Sequence, residues 1–409
     1  MRVRTALVGA IAAGIAVTQA GIAAAAPAKD GHAPTRQALE TAVHDGVPGV
    51  TATAVDPRGT WSATAGVGDL RTGAPRSTAD RYRVGSITKT FISTVLLQLE
   101  AEGRLSLDDT VDTWLPGVVR GNGNDGTGIT VRQLLNHTSG IFNYTADDGF
   151  GATYLTKDGF LRHRYDTLTP EQLVAVALSH EPDFAPGTSW NYSNTNYVLA
   201  GMVIEKVTGR SYASQIRDRI IKPLNLHATS LPGTRVTVPG PHSRAYSKLT
   251  GTTTGPTYDV TALNPSWASS AGEVISDSAD LNRFYTALLR GRLLPREQLK
   301  EMKSTVRIDG FPDGGYGLGL VELKLSCGVR VWGHDGGIHG SSTVALTTAD
   351  GRRSLAFNFN GDWAGDSLAV VEAEFCGTRP TGTSQPGDRS ENAPQSLSPG
   401  LSPALSDRL

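Results

Sequence analysis

Residues 83–99 read Arg-Val-Gly-Ser-Ile-Thr-Lys-Thr-Phe-Ile-Ser-Thr-Val-Leu-Leu-Gln-Leu, and this stretch decides the fold. Apolar side chains at Ile87, Phe91, Val95, Leu96 and Leu99 recur at helical spacing up to Gly103, a natural stop, so one buried helix is predicted. Ser86 and Lys89, three apart at its start, project from one face about one turn apart. A serine hydroxyl is a poor nucleophile until a base takes its proton, and a lysine amine does so only when burial or other cations depress its pKa. The N-terminus of the helix adds backbone donors and positive potential for a developing oxyanion. The bland alternative is a helix cap beside a solvated lysine. Against it, Lys89 alone among nine lysines has a serine three positions earlier, and Gly85 and the apolar helix would hold the pair rigidly near a core.

Before this helix, residues 49–68 alternate small and β-prone side chains around Pro57, Arg58 and Gly59, a predicted hairpin. After it, helical patterns are read at residues 131–135 and 170–179 and in a long run over 197–221, divided by Gly, Asn and Pro loops. Strands return at 329–333, 342–348 and 354–360, and a helix follows at 366–375. The predicted class is α+β: an antiparallel sheet flanked by helices, built from about 36–100 and 268–378, with an all-helical insert over about 101–267.

Hydrophobic residues make up 39% of the 409, enough for a large core, and 38 Lys plus Arg nearly cancel 39 Asp plus Glu. No global field would draw such a chain to nucleic acid or an anionic membrane. Arg2 and Arg4, an Ala-rich apolar run and small residues at 23–28 read as a signal peptide over 1–28, so a secreted protein without a membrane anchor is expected. Residues 379–409 are rich in Pro, Ser and Gly and are predicted to form a disordered tail. The two cysteines, Cys327 and Cys376, would both be exported, and an oxidising compartment favours a disulfide over two buried thiols or a metal site.

Two further clusters carry chemistry. Tyr192, Ser193 and Asn194 sit in a turn-rich stretch before the long helix; a phenol between two cations can lose its proton near neutrality and shuttle one, and a carboxamide can hold a substrate amide. His334, Asp335, Gly336 and Gly337 follow a predicted strand, where glycines let a substrate backbone approach and the Gly337 N–H could face that of Ser86. The His44, Asp45, Gly46 copy of that tripeptide precedes the other elements and is assigned to the surface. His137 is read as a buried structural histidine fixing a loop, and Asp108 and Asp109 as caps and ion-pair partners.

Ser-x-x-Lys, Tyr-x-Asn and His-x-Gly in that order resemble the three signature elements of the serine β-lactamase and penicillin-binding superfamily. Tyr-x-Asn is similar to the class C branch, with its secreted D-alanyl-D-alanine carboxypeptidases. Residues 103–109, 134–140, 186–197 and 267–272 add to a likeness covering roughly 36–378. The resemblance implies a site between sheet and helical domain, an acyl-enzyme on Ser86, no metal or cofactor, and reaction with β-lactams. It makes Lys89 and Tyr192 the proton-transfer pair and Asn194 the amide-binding residue, and sets His334 on the third wall. Trp267, Asp335, Gly336 and Gly337 would line the substrate, with the N–H groups of Ser86 and Gly337 as the oxyanion hole. The cysteines also fall where those carboxypeptidases have a disulfide. A monomer acting on a small peptide or peptidoglycan-like substrate is expected, with D-alanyl-D-alanine carboxypeptidase as the leading reading. A D-aminopeptidase, amidase or esterase, or a penicillin sensor that never turns over, are the alternatives. One departure bears on this choice: the carboxypeptidases usually carry hydroxyl residues where Asp335 and Gly337 stand and an arginine near Val321. A carboxylate at 335 should repel a terminal carboxylate and attract a free amine, unless Arg330, on the His334 side by strand alternation, compensates.

Overall fold

The computed structural model describes residues 31–250, 253–308 and 313–378. The expected signal peptide and C-terminal tail lie outside them. An eight-stranded antiparallel sheet is formed by β1 (Gly49–Asp56), β2 (Gly59–Asp69), β3 (Ala74–Pro75), β4 (Gly314–Tyr316), β5 (Val321–Lys324), β6 (Arg330–Ile338), β7 (Ser341–Thr348) and β8 (Ser354–Phe359). Its spatial order is β4-β5-β6-β7-β8-β1-β2-β3, so the first and last thirds of the chain meet where Val50 pairs with Phe359. Helices α1 (Ala33–His44), α4 (Ser278–Leu289) and α5 (Ser367–Cys376) pack on it, α2 (Thr88–Ala101) packs on α4, and α3 (Asn194–Thr208) belongs to the insert.

Strand alternation places a core on each face of the sheet. On β8, Leu355, Phe357 and Phe359 face Leu39, Val370 and Val371 of α1 and α5, whereas Ala356 faces α4 and α2. Alanines at 345 and 356 let α4 approach closely, with Asn282 Nδ2 donating to the Thr53 carbonyl at 2.7 Å and Phe284 stacked on Phe91 at 3.9 Å. The insert packs on this second core. Two of its short helices begin with reciprocal caps, Thr130 with Gln133 and Thr169 with Gln172.

The structure corrects the sequence reading in places. The long helix expected over 197–221 ends at Gly209, whose φ of 67° suits a residue without Cβ, and restarts at Tyr212. The strand expected to stop at Gly333 runs on through Ile338 and carries His334 to Gly337 within it. Helices α1 and α4 and strands β4 and β5 were not anticipated. Asp108 pairs with Arg132 at 2.9 Å, Asp109 accepts from the Ser106 amide and the Trp114 indole, and His44 is exposed, as expected. Cys327 and Cys376 form a disulfide that ties the β5–β6 turn to the end of α5.

Candidate active site

Ser86 lies in a single tight turn, Gly85–Ile87, that leads into α2, so Ser86 and Lys89 share a face as the spacing predicts. Helix α2 is buried along almost its whole length, Lys89 included. The turn rests on β6. Gly85 has φ of +53°, and a Cβ there would come within 2.7 Å of the Gly337 carbonyl oxygen; a Cβ on Gly336 would lie 2.0 Å from the Val84 oxygen and 2.8 Å from the Ser86 nitrogen. Both glycines are thus required by backbone-to-backbone approach. β5 pairs with β6 only as far as Gly333, and the Gly85–Ser86 turn packs against the strand beyond it.

Lys89 Nζ is 3.0 Å from Ser86 Oγ, 2.8 Å from Asn194 Oδ1 and 2.9 Å from the Ala271 carbonyl oxygen. Burial holds its pKa well below the ordinary lysine value, with Asp335 pulling the other way. Once the amine gives up its proton, the same partners leave it poised as a base. Two carbonyl-type oxygens can only accept, so they take the two N–H bonds and the lone pair is left for the Ser86 hydroxyl proton. Asn194, whose Nδ2 donates to Thr145 Oγ1, thereby orients the lysine as well as facing the site.

Tyr192 is buried with its ring 4.7 Å from Lys89 Nζ. Its hydroxyl has no hydrogen bond of ordinary geometry among the described residues. Burial raises its pKa well above the usual phenol value, and the nearby Ser86 hydroxyl offsets only part of that. The expectation of a phenolate between two cations is therefore corrected: Lys89 is desolvated, and His334, pushed down to about 3 by burial and then by Lys89, is uncharged. A neutral phenol beside a neutral amine can relay a proton without ionising first.

His334 is fully buried; its Nδ1 donates to the Asp335 carbonyl at 2.5 Å and its Nε2 is 3.1 Å from Tyr316 Oη. The Asp335 side chain is 8% exposed, and the nearest cationic type is the uncharged His334 ring at 3.6 Å. Burial pushes its pKa up to about 6. Arg330 does not compensate: it is half-exposed and pairs with Glu322 at 3.0 Å. Trp267 is half-buried between Phe150 and His339, and its carbonyl accepts from Tyr144 Oη at 2.6 Å. From its segment the atom that reaches Lys89 is the Ala271 carbonyl, a backbone group that no side-chain pattern announces. Among the described residues no cluster of His, Cys, Asp and Glu is placed to hold a metal ion.

A serine and a lysine of depressed pKa on one buried turn, a buried tyrosine over both, and a strand edge beside them define a serine hydrolase of the penicillin-binding and β-lactamase fold. The sequence model of the family described as Beta-lactamase matches residues 35–369, and the chain belongs to that family. It is 30% identical over 311 residues to Penicillin-binding protein 4* of Bacillus subtilis, covering 72% of this chain and 64% of that one, a little under two thirds of the relative's length. Among solved structures it is similar to a D-stereospecific amidohydrolase from Streptomyces sp., at 65% identity with TM-score 0.81 over 85% of this chain and 99% of the other. It is also similar to D-amino acid amidase from Ochrobactrum anthropi in complex with D-phenylalanine, at 27% identity and TM-score 0.73 over 85% and 100%.

Proposed function

We propose that this hydrolase cleaves amides of D-amino acids that carry a free α-ammonium group, through an acyl-enzyme on Ser86. The observation that carries the reading is the Asp335 carboxylate, buried on the third wall and paired by no lysine or arginine among the described residues. Such a charge favours a cationic substrate group and opposes a terminal carboxylate, and the likeness to a D-stereospecific amidohydrolase and to a D-amino acid amidase supports the same choice. The carboxypeptidase reading is accordingly the weaker of the two.

In the proposed cycle Ser86 Oγ attacks the carbonyl carbon as its proton passes to Lys89 Nζ, and the oxyanion is held by the N–H groups of Ser86 and Gly337. Tyr192 relays that proton to the leaving nitrogen as the C–N bond breaks. Water then attacks the ester, its proton returns by the same route, and Ser86 is freed. Asn194 orients the scissile amide, Asp335 holds the ammonium, and Trp267 borders the substrate. β-Lactams are proposed as acylating ligands of the same serine, and export directed by residues 1–28 as the route to the chain's site of action.

The test compares purified protein on D-phenylalaninamide, its L enantiomer, a short-chain ester and an N-acylated peptide ending in D-Ala-D-Ala. Turnover of the D-amide and the ester is expected. Release of D-Ala with no hydrolysis of the amide would overturn the proposal in favour of a carboxypeptidase, and a penicillin adduct that persists with no turnover of any substrate would favour a sensor.

A further inference from the structure

We propose that His137 and Tyr316 are positioning residues that hold His334 as its neutral Nδ1–H tautomer through a one-way hydrogen-bond chain, leaving the Asp335 carboxylate free for the substrate ammonium. The last clause rests on the amidase reading; the chain itself does not.

Its direction is set by backbone groups at both ends. The Ser193 amide, which can only donate, meets His137 Nδ1 at 3.2 Å, and Asn196 Nδ2 meets the same nitrogen at 3.1 Å. His137 Nδ1 is therefore an acceptor, and its proton is on Nε2, 3.2 Å from Tyr316 Oη. At the far end the Asp335 carbonyl can only accept, so His334 carries its proton on Nδ1 and its Nε2 accepts from Tyr316, 3.1 Å away. Every bond between the two ends then has one possible polarity: Ser193 N–H to His137, His137 to Tyr316, Tyr316 to His334, His334 to the Asp335 carbonyl.

An added proton on His334 Nε2 would confront the Tyr316 hydroxyl hydrogen. Tyr316 could avoid this only by turning its hydrogen to the Tyr197 hydroxyl, which gives up its bond to His334. The groups acting on His334 from each side are Lys89 of α2, His137 of the insert, Tyr316 of β4 and Asp335 of its own strand. Burial and Lys89 oppose protonation; Asp335 alone favours it. The chain also spans the cleft, tying Ser193, between Tyr192 and Asn194 in the sequence, to the strand that bears Asp335.

The tautomer is read without substrate from the ring 15N shifts of histidine-labelled protein, with the His334 signals assigned by their loss in His334→Gln. Wild type is expected to show a pyrrole-type Nδ1 and a pyridine-type Nε2 at His334, with no titration down to pH 5. In Tyr316→Phe the acceptor nitrogen loses its donor and His334 is expected to titrate at least one unit higher, which raises KM for D-phenylalaninamide about tenfold as pH falls through that value, with kcat less affected. The double variant Tyr316→Phe/His334→Gln cannot take up that proton and should lose the part of the rise in KM that Tyr316→Phe adds, keeping the limb near pH 6 that Asp335 itself gives. A pyridine-type Nδ1 at His334 in wild type, or titration near pH 6.5 there, overturns the proposal even if Tyr316→Phe does not fold. So does a folded Tyr316→Phe whose only change is a lower Tm. An enzyme that ignores D-amides but shows the expected shifts would sink the amidase reading and leave the chain standing.

Discussion

Replacing Asp335 with asparagine should make the protein more stable and a worse enzyme, each by an amount the structure sets. The carboxyl pKa rises from 3.8 to about 6 on folding, chiefly through burial. A raised pKa means that the native state holds this proton more tightly than the unfolded chain, so the charge opposes folding. That cost is absent below pH 3.8, grows as pH rises, and is complete above about 6. Two units correspond to at most about 3 kcal/mol, so Asp335→Asn is expected to gain on the order of 5 °C in Tm at pH 8 and nothing at pH 3.5. Catalysis moves the other way. A charge-assisted bond to an ammonium contributes about 1.5–3 kcal/mol, so kcat/KM for D-phenylalaninamide should fall about 10- to 100-fold. The slower hydrolysis of N-acetyl-D-phenylalaninamide, which has no ammonium, should change little. Wild type should also show an acid limb in kcat/KM near pH 6, because the ionised carboxylate binds substrate, and the variant should lack it. Steady-state kinetics from pH 5 to 9 with thermal melts in the same buffers test both halves. An equal loss on the two substrates would refute the reasoning, as would a variant less stable at pH 8 than wild type.

Lys89→Met keeps the buried volume and removes the base; acylation by a penicillin, followed by intact mass, should slow by about 10²–10⁴-fold. Gly336→Ala drives a methyl into the Val84 carbonyl and should abolish most activity, whereas Gly128→Ala, where a Cβ meets nothing within 4 Å, should leave kcat/KM unchanged. Reducing the Cys327–Cys376 bridge, which closes a separation of 49 residues, should lower stability by about 4 kcal/mol in urea titrations with kcat at 25 °C intact.

The parts of the site legible in the sequence are those whose geometry is local. Ser86 and Lys89 are held together by the period of one helix, and their distance follows from it. The charge state of Lys89 is not legible, because it depends on Asn194 from 105 residues away and on the Ala271 carbonyl, 182 residues away. His137 is recognisable as a buried histidine, but its link to Tyr316 is made only when insert and sheet are brought together. In the fold, the break at Gly209 was masked because apolar positions resume at Tyr212, Ile216 and Ile220. Helix α1 buries little more than Ala38, Leu39 and Ala42, too weak a pattern to stand out, whereas α4 carries Leu281, Phe284, Tyr285 and Leu288 at full helical spacing and was readable.

The pairing of β1 with β8 also governs when this chain can fold. β1 is synthesised about 300 residues before its partner, an interval of roughly 15–60 s at ordinary elongation rates, during which one edge of the β1–β2 hairpin has no strand to bond. An unpaired edge is a template for joining other chains, so the nascent protein depends on being kept apart from its neighbours until the last strand emerges. A chain stopped short of Ser354 would contain Ser86, Lys89, Tyr192, Asn194 and His334 and still lack the strand that closes the sheet around them.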